Sequence, residues 1–129
     1  MCASLVGIAT VLPAVTGCAP LKTIQGDAKQ GMIEVPLSNF TETNNMVIIQ
    51  TPALEYEIAL IKNPDASFRA FELQCTHRAN PLVATKSGFF CNLHGSRFAL
   101  DGTVTQPPAA NSLKEYTVGI TNQTITIKL

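Results

Sequence analysis

The chain has 129 residues, of which 46% are hydrophobic and 14% are charged, and its nine basic side chains balance nine acidic ones to a net charge of zero. This length predicts one domain with enough apolar residues for a packed core. Proteins that bind nucleic acid need a basic surface to displace counterions from phosphates, so the neutral charge excludes nucleic acid as the expected partner.

The first charged side chain is Lys22, and everything before it is uncharged. Residues 4–17 are small and apolar, which is typical of a secretory signal and too short to span a bilayer comfortably. Residues 15–18, Val-Thr-Gly-Cys, look like a bacterial lipobox, in which the cysteine receives a diacylglycerol. We therefore expect a signal-like segment at 1–17 and lipidation of Cys18, which would anchor the protein in the bacterial envelope facing the periplasm.

An alternative interpretation of this N-terminal segment is a buried strand or helix in which Cys18 packs as a small apolar residue. A signal normally begins with a basic residue, and none precedes residues 4–17. We hypothesise that translation starts upstream of Met1 and adds a basic segment. Mapping the start of translation would test this, and the export route stays open.

The rest of the chain is patterned as a tether followed by short strands. We expect residues 18–30 to form a tether and residues 31–129 to form the folded domain. Alternating or β-branched apolar stretches predict strands at 32–37, 46–50, 56–61, 68–73, 116–120 and 124–129. Asn-Pro-Asp at 63–65 predicts a turn, and 121–123 predict a hairpin. Without any sustained helical period, the pattern predicts an all-β fold of antiparallel strands.

Two pairs of potential metal ligands lie between the strands, Cys75 with His77 and Cys91 with His94. They include both histidines of the protein and both cysteines that follow Cys18. Because each pair follows a strand, we expect two loops that meet at one metal site. Thiolates bind iron strongly and imidazole suits the more reducible iron of a pair. Exchanging two thiolates for imidazoles raises the potential of an iron–sulfur site to about −150 to +300 mV.

These motifs, C-T-H at 75–77, C-N-L-H-G-S-R-F at 91–98 and D-G-T-V at 101–104, resemble those of the Rieske iron–sulfur family. The resemblance covers about residues 31–129 and implies one [2Fe–2S] cluster. The two cysteines would hold the buried iron and the two histidines the exposed one. It also implies the Rieske fold, an antiparallel β-sandwich base with an inserted cluster-binding subdomain of short strands and two loops, at about residues 74–109.

Three other uses of the same side chains remain open. A zinc site is possible, although C-x-H with C-x₂-H differs from the usual spacings of zinc ligands. A disulfide between Cys75 and Cys91 would suit an exported protein but leaves the two histidines unexplained. A Cys–His nucleophile pair needs only one residue of each type.

Four residues can be compared with the corresponding residues of high-potential Rieske proteins, and each comparison bears on the reduction potential of the cluster. Asn80 and Leu93 stand where those members have two disulfide-bonded cysteines, and we expect Leu93 to pack as a small apolar plug. Ser96 matches a serine that donates a hydrogen bond to a cluster sulfur, whereas Phe98 replaces a tyrosine donor. Such bonds stabilise the reduced form, so the resemblance implies an intermediate potential.

A proline pair and two arginines lie near the expected ligands. Pro107 and Pro108 stand where the family has a Gly-Pro segment that covers the cluster, and stiff prolines suit such a cover. They are equally compatible with an ordinary surface turn. Arg78 and Arg97 can attract an acidic redox partner, or they can be solvated surface residues.

The sequence predicts an electron-transfer protein without catalytic residues of its own. Expected partners are redox proteins: a cytochrome, a quinol-linked protein or an oxidoreductase subunit. The alternatives are a Rieske subunit of a larger oxidoreductase, arsenite-oxidase-like or oxygenase-type, and an envelope lipoprotein with a purely structural cluster. A gene for a large catalytic subunit nearby would favour the first alternative, and redox cycling of the cluster would exclude the second.

Overall fold

The computed structural model of the protein describes residues 20–129. The predicted signal-like segment and Cys18 lie outside these residues. The strands, in chain order, are β1 (Lys22–Gln25), β2 (Ala28–Lys29), β3 (Met32–Pro36), β4 (Met46–Gln50), β5 (Ile58–Lys62), β6 (Phe68–Glu72), β7 (Val83–Thr85), β8 (Gly88–Phe90), β9 (Arg97–Phe98), β10 (Val104–Gln106), β11 (Glu115–Thr121) and β12 (Thr124–Lys128). A single 3₁₀ turn, Leu37–Asn39, follows β3. None of the helical structure between residues 20 and 129 is long and apolar enough to cross a membrane.

Two sheets contain all of these strands. Eight strands form the base sheet, in the order β1-β4-β5-β6-β11-β12-β3-β2, and four form a small sheet, in the order β10-β9-β8-β7. All neighbours are antiparallel except β1 and β4, which are parallel. The base sheet is curled. Side chains from two strands that are far apart in its strand order, Ile33 of β3 and Ile49 of β4, both approach Gly26 just after β1. The predicted all-β Rieske fold is confirmed.

The burial pattern of the base strands explains why they form. In β3 the residues alternate between exposed and buried, as expected for a sheet with one face on the core. β4 and β5 instead carry four consecutive buried residues each, because both of their faces are covered. One face contributes Val47 and Leu60 to the core of the base, and the other contributes Ile48 and Ile61 to a second core.

The second core joins the base to the small sheet. On the base side it contains Met46, Phe71 and Leu73, and on the other side Cys91 and Phe98. The small sheet and its loops therefore rest on the back of β4–β6, and the cysteines belong to this shared apolar layer.

Two predicted turns form as expected. β5 and β6 pair through a turn in which the backbone N–H of Asn63 donates to Ser67 at 2.8 Å. β11 and β12 pair up to Thr121 and Thr124, and the two residues between them, Asn122 and Gln123, have positive φ values of 49° and 61°. This is the backbone conformation that a two-residue hairpin requires.

The predicted tether at 18–30 is wrong for the part of it that the structure describes. Residues 22–25 form β1, in which Thr23 and Ile24 pair with Ile48 and Ile49 of β4. The mixed composition of this stretch resembles a linker, but a parallel edge strand needs few apolar side chains of its own when its partner supplies the core. The base therefore begins near residue 22.

Candidate metal centre

The predicted ligands lie in two loops that leave the central layer of the molecule. Loop 1, residues 74–82, connects β6 to β7, and loop 2, residues 91–96, connects β8 to β9. Loop 1 is closed by a bridge between Gln74 and Pro81. Because β8 lies between β7 and β9 in the small sheet, the two loops emerge side by side at one end of it.

Backbone hydrogen bonds fix the shape of each loop. In loop 1 the N–H of Cys75 donates to the carbonyl of Asn80 at 2.8 Å. In loop 2 the N–H of Cys91 donates to the carbonyl of Ser96 at 2.8 Å, and the N–H of Gly95 donates back to Cys91 at 3.1 Å. Gly95 has a φ of 82°, a left-handed conformation that side chains disfavour. Each loop thus turns tightly around its cysteine.

The two cysteines are buried beside each other. Cys75 is 2% and Cys91 1% exposed, and neither forms a disulfide. Burial raises the pKa of the Cys75 thiol, but hydrogen bonds from the backbone of His77 and Arg78, and from the side chains of Cys91 and Ser96, outweigh it and lower the pKa below the usual value. These donors favour the thiolate, which is the form that binds metals.

The two histidines form a second pair at the surface. His77 and His94 are both exposed, and their ring centroids lie 5.1 Å apart with the ring planes at 84°. Together with the two buried cysteines, the two exposed imidazoles form a set of four donors, in which one pair lies in the apolar layer and the other lies at the surface. This arrangement suits two metal ions with different ligands, which is the ligand pattern of a Rieske cluster.

A third segment connects the two loops. We call residues 106–111 the proline loop. The Gln106 side chain donates to the carbonyl of Gly95 at 3.0 Å, the N–H of Ala109 donates to the Ser96 hydroxyl at 3.0 Å, and the Thr76 hydroxyl donates to the carbonyl of Asn111 at 2.6 Å. The register of β10 is irregular between Val104 and Gln106, as at a β-bulge, which redirects the chain at this point.

These contacts hold together the loops that a disulfide holds in high-potential Rieske proteins. Sequence reasoning did not find Thr76, Gln106 or Ala109, because the partners of the bonds are 11 to 35 residues apart and nothing local marks them. Tyr56 was also missed; its hydroxyl donates to the carbonyl of Ala79 at 3.1 Å and supports loop 1 from the base.

The structure places the other predicted residues as follows. Leu93 is 61% exposed, so its expected role as an apolar plug is wrong: it lies on the outer side of loop 2 beside His94. Phe98 is 2% exposed and packs in the shared core. Pro107 and Pro108 are exposed, whereas the next residue, Ala109, is buried against loop 2.

The donor set has the chemistry of a [2Fe–2S] cluster, with two buried cysteines and two exposed histidines. Within residues 20–129, no three His, Cys, Asp or Glu side chains are grouped so that they could hold one metal ion. Two thiols and two imidazoles in separate pairs correspond to the two irons of a Rieske centre.

Comparison with known proteins agrees with this geometry. The family model of the Rieske [2Fe-2S] domain matches residues 34–117, well over half of the chain. The chain belongs to the Rieske family. It therefore carries one [2Fe–2S] cluster, and its general role is electron transfer. No curated protein sequence matches it significantly.

Solved Rieske structures have the same fold. The chain is similar to the plasma membrane Rieske protein PetC3 from Synechocystis PCC 6803, with 25% identity and a TM-score of 0.57 over 66% of this chain and 87% of that one. It is similar to naphthalene 1,2-dioxygenase with 28% identity and a TM-score of 0.50, over 57% of this chain but only 20% of that one. A chain in the oxygenase–ferredoxin complex of carbazole 1,9a-dioxygenase shares the fold at 17% identity, with a TM-score of 0.57 over 78% of this chain and 94% of that one.

Proposed function

We propose that this Rieske protein is a one-electron carrier of intermediate potential, in which Cys75 and Cys91 hold one iron and His77 and His94 the other. The observation that carries the proposal is the pairing of two exposed imidazoles, whose ring centroids lie 5.1 Å apart, with two buried cysteines carried by the same two loops. The cluster supplies reversible uptake of one electron when it is bound. The chain buries the thiolates away from water and brings the imidazoles to the surface, where a partner can approach them.

The intermediate potential is supported by the donors around the buried sulfurs. Ser96 is fully buried, and its hydroxyl lies against Cys75 while it accepts the N–H of Ala109. Phe98 is buried in the same core without a hydroxyl. A donor to sulfur stabilises the more negative, reduced form and raises the potential, so one retained donor and one missing donor favour a value between the extremes.

A redox titration followed by EPR on the full chain tests the proposal. We expect a red-brown protein whose reduced form has an average g value below that of the free electron, and a potential below the upper end of the range of about −150 to +300 mV. A colourless, zinc-loaded protein would refute the cluster ligands. A potential at the upper end would refute only the intermediate value.

Two substitutions sharpen this test. Phe98→Tyr is expected to raise the potential and Ser96→Ala to lower it. Phe89→Tyr is the matched control for the first, because Phe89 is equally buried and pairs with Phe98 across the small sheet. Ser67→Ala is the control for the second, since that hydroxyl donates to Asp65 in a turn of the base. Equal shifts in variant and control would show that the effect is not a local hydrogen bond.

We further propose that the protein is anchored in the bacterial envelope through a lipid on Cys18. The support is the lipobox-like sequence at 15–18 and the resemblance to a Rieske protein described as one of the plasma membrane. Cys18→Ser should move the protein from the membrane fraction to the soluble fraction without changing its EPR spectrum. Unchanged membrane attachment of this variant would contradict the anchor.

A second candidate is a Rieske subunit of a larger oxidoreductase. The likeness to naphthalene 1,2-dioxygenase, at 28% identity, favours it, because the match covers only 20% of that enzyme chain and the Rieske fold is therefore one part of a larger protein there. Purification from membranes under mild conditions distinguishes the two candidates. A stable complex with a large catalytic subunit would support the role of an oxidoreductase subunit. A small protein that purifies alone would support the role of a one-electron carrier.

A further inference from the structure

The charged side chains are unevenly distributed along the chain, although its net charge is zero. Residues 74–82, 91–97 and 106–111, which contain loop 1, loop 2 and the proline loop, carry only two charged side chains, Arg78 and Arg97. Nine basic residues less these two leave seven basic against nine acidic elsewhere. We call the part of the molecule formed by these three segments the metal end. It carries a net charge of +2, while the remainder carries a net charge of −2.

The direction of the strands shows that these charges are separated in space. β6 runs from Phe68 to Glu72 and leads into loop 1, and Lys62 pairs with Phe68 at the far end. Four strand residues separate the two levels by about 13 Å. Glu72 is buried and lies 3.6 Å from Lys114, so it adds little negative field at the metal end.

Two acidic residues lie beside the contact between loop 1 and the base. Tyr56 contacts loop 1, and its neighbours are Glu55, which is exposed, and Glu57, whose carboxylate accepts a hydrogen bond from Gln50. The metal end is thus positive on its outer face and bordered by acids on the flank next to the base.

Both arginines are available to a partner. They are exposed, and no carboxylate among residues 20–129 lies within ion-pair distance of either guanidinium. The guanidinium of Arg97 lies 5.8 Å from the centre of the Phe90 ring, which restrains its position. Arg78 follows His77 directly and is carried by the same tight loop.

Exposed apolar side chains belong to loop 2 and to the proline loop beside it. Leu93, at 61% exposure, is the most exposed large hydrophobic residue of the part that the structure describes. The hydrogen bonds from Gln106 and Ala109 bring the exposed prolines of the proline loop against loop 2. We call this surface the histidine face: His77, Arg78, Leu93, His94, Arg97, Pro107 and Pro108.

We propose that the histidine face docks a redox protein that presents carboxylates around an apolar contact area. This inference rests on the proposed electron-transfer function and adds the chemistry of the partner. Leu93 and the prolines supply the desolvated centre, and the arginines supply the charged rim. Charges at the rim of an interface mainly steer association, so the partner is attracted at low salt and released easily afterwards.

Small redox reagents of opposite charge test the field at this face. Ferricyanide, an anion, and tris(phenanthroline)cobalt(III), a cation, each take one electron from the reduced protein and become ferrocyanide and the cobalt(II) complex. Stopped-flow oxidation of the EPR-verified full chain is measured with both reagents at several ionic strengths. The variants are Arg78→Glu, Arg97→Glu and the two combined, with Lys62→Glu as the control for one charge reversal, at the far end of β5. Redox potentials are measured in parallel, so that changes in driving force are subtracted.

We expect Arg97→Glu and Arg78→Glu each to slow ferricyanide and accelerate the cobalt reagent, by roughly tenfold at low salt for the double variant, with the difference fading at high salt. Lys62→Glu should change either rate far less. The proposal is overturned if Lys62→Glu acts as strongly as the two arginine variants, or if those variants leave the ratio of the two rates unchanged. A chain without the Rieske EPR signal would instead refute the proposed function.

Discussion

The base and the metal end of this protein are stabilised in different ways. The base is closed by continuous ladders and has a core of aliphatic residues with no exposed surface, including Ile33, Leu60 and Ile127. The metal end has strands of two or three residues and depends on single hydrogen bonds between loops. Stability is therefore concentrated in one region and chemistry in the other, which implies that mutations can separate the two.

The largest expected effect tests the base alone. Leu60→Ala removes a fully buried side chain from the core of the base, which does not include the cysteines. We expect the free energy of unfolding to fall by about 2–5 kcal/mol. The reduction potential should stay the same. Chemical denaturation and a redox titration measure the two properties, and a shifted potential in a folded variant would contradict their separation.

Two glycines with the same backbone conformation compare the regions directly. Gly31 in the base has a φ of 74° and Gly95 in loop 2 has a φ of 82°. A Cβ at Gly31 would have no neighbour within 4 Å, and one at Gly95 would meet only the Gln106 side chain, at 3.6 Å. Alanine at either position should cost about 1–2 kcal/mol through backbone strain.

Only Gly95→Ala should also accelerate loss of the cluster, because Gly95 directly follows the ligand His94 and its N–H donates to the carbonyl of the ligand Cys91. The decay of visible absorbance in the presence of a chelator measures this rate. If Gly31→Ala released the cluster equally fast, the rate of cluster loss would depend on global unfolding of the protein and not on the conformation of loop 2.

A smaller effect is expected from the connection between loop 1 and the proline loop. Thr76→Val removes the hydroxyl that donates to Asn111 at 2.6 Å while keeping the shape of the side chain. We expect a loss of about 0.5–1.5 kcal/mol and faster cluster release. Thr41→Val, which removes a hydroxyl bonded only to Thr43, is the control in the base. Unchanged cluster release in Thr76→Val would show that the other two bonds suffice.

The smallest effect concerns an ion pair on the surface of the base. Arg69 on β6 binds both carboxylate oxygens of Glu115 on β11 at 2.8 Å, and these bonds lower the pKa of Glu115. Because its pKa is lower in the folded state, Glu115 stabilises the fold above its unfolded pKa, and this contribution is lost as the pH falls through the folded pKa.

Both side chains are more than a third exposed, so Arg69→Met should change stability only slightly at neutral pH. The difference between variant and parent should shrink further in acid, as measured by thermal unfolding from pH 7 to pH 3. A difference that grows in acid would show that Glu115 is not the group involved.

The sequence determines these two regions to different degrees. The base strands could be predicted because burial on one face imposes alternation, as in β3, and burial on both faces produces an apolar run, as in β4. β1 was not predicted, since its pairing depends on what β4 offers and not on its own pattern.

At the metal end the ligands could be predicted because their chemistry is rare in a chain with only two histidines. The hydrogen bonds that support the ligand loops could not be predicted, because the bond between Thr76 and Asn111, for example, spans 35 residues. Leu93 shows a different limit. Its hydrophobic side chain suggested burial, but the tight turn of loop 2 directs it outward beside His94.

The hydrogen-bonded proline loop also has a consequence for assembly. Among the described residues the two cysteines are free, and the loops are joined by N–H and O–H donors instead of a covalent cross-link. Reducing conditions, which would open a disulfide, leave such bonds intact. The site can therefore reach its final shape without an oxidant, while its thiols are still available to receive iron.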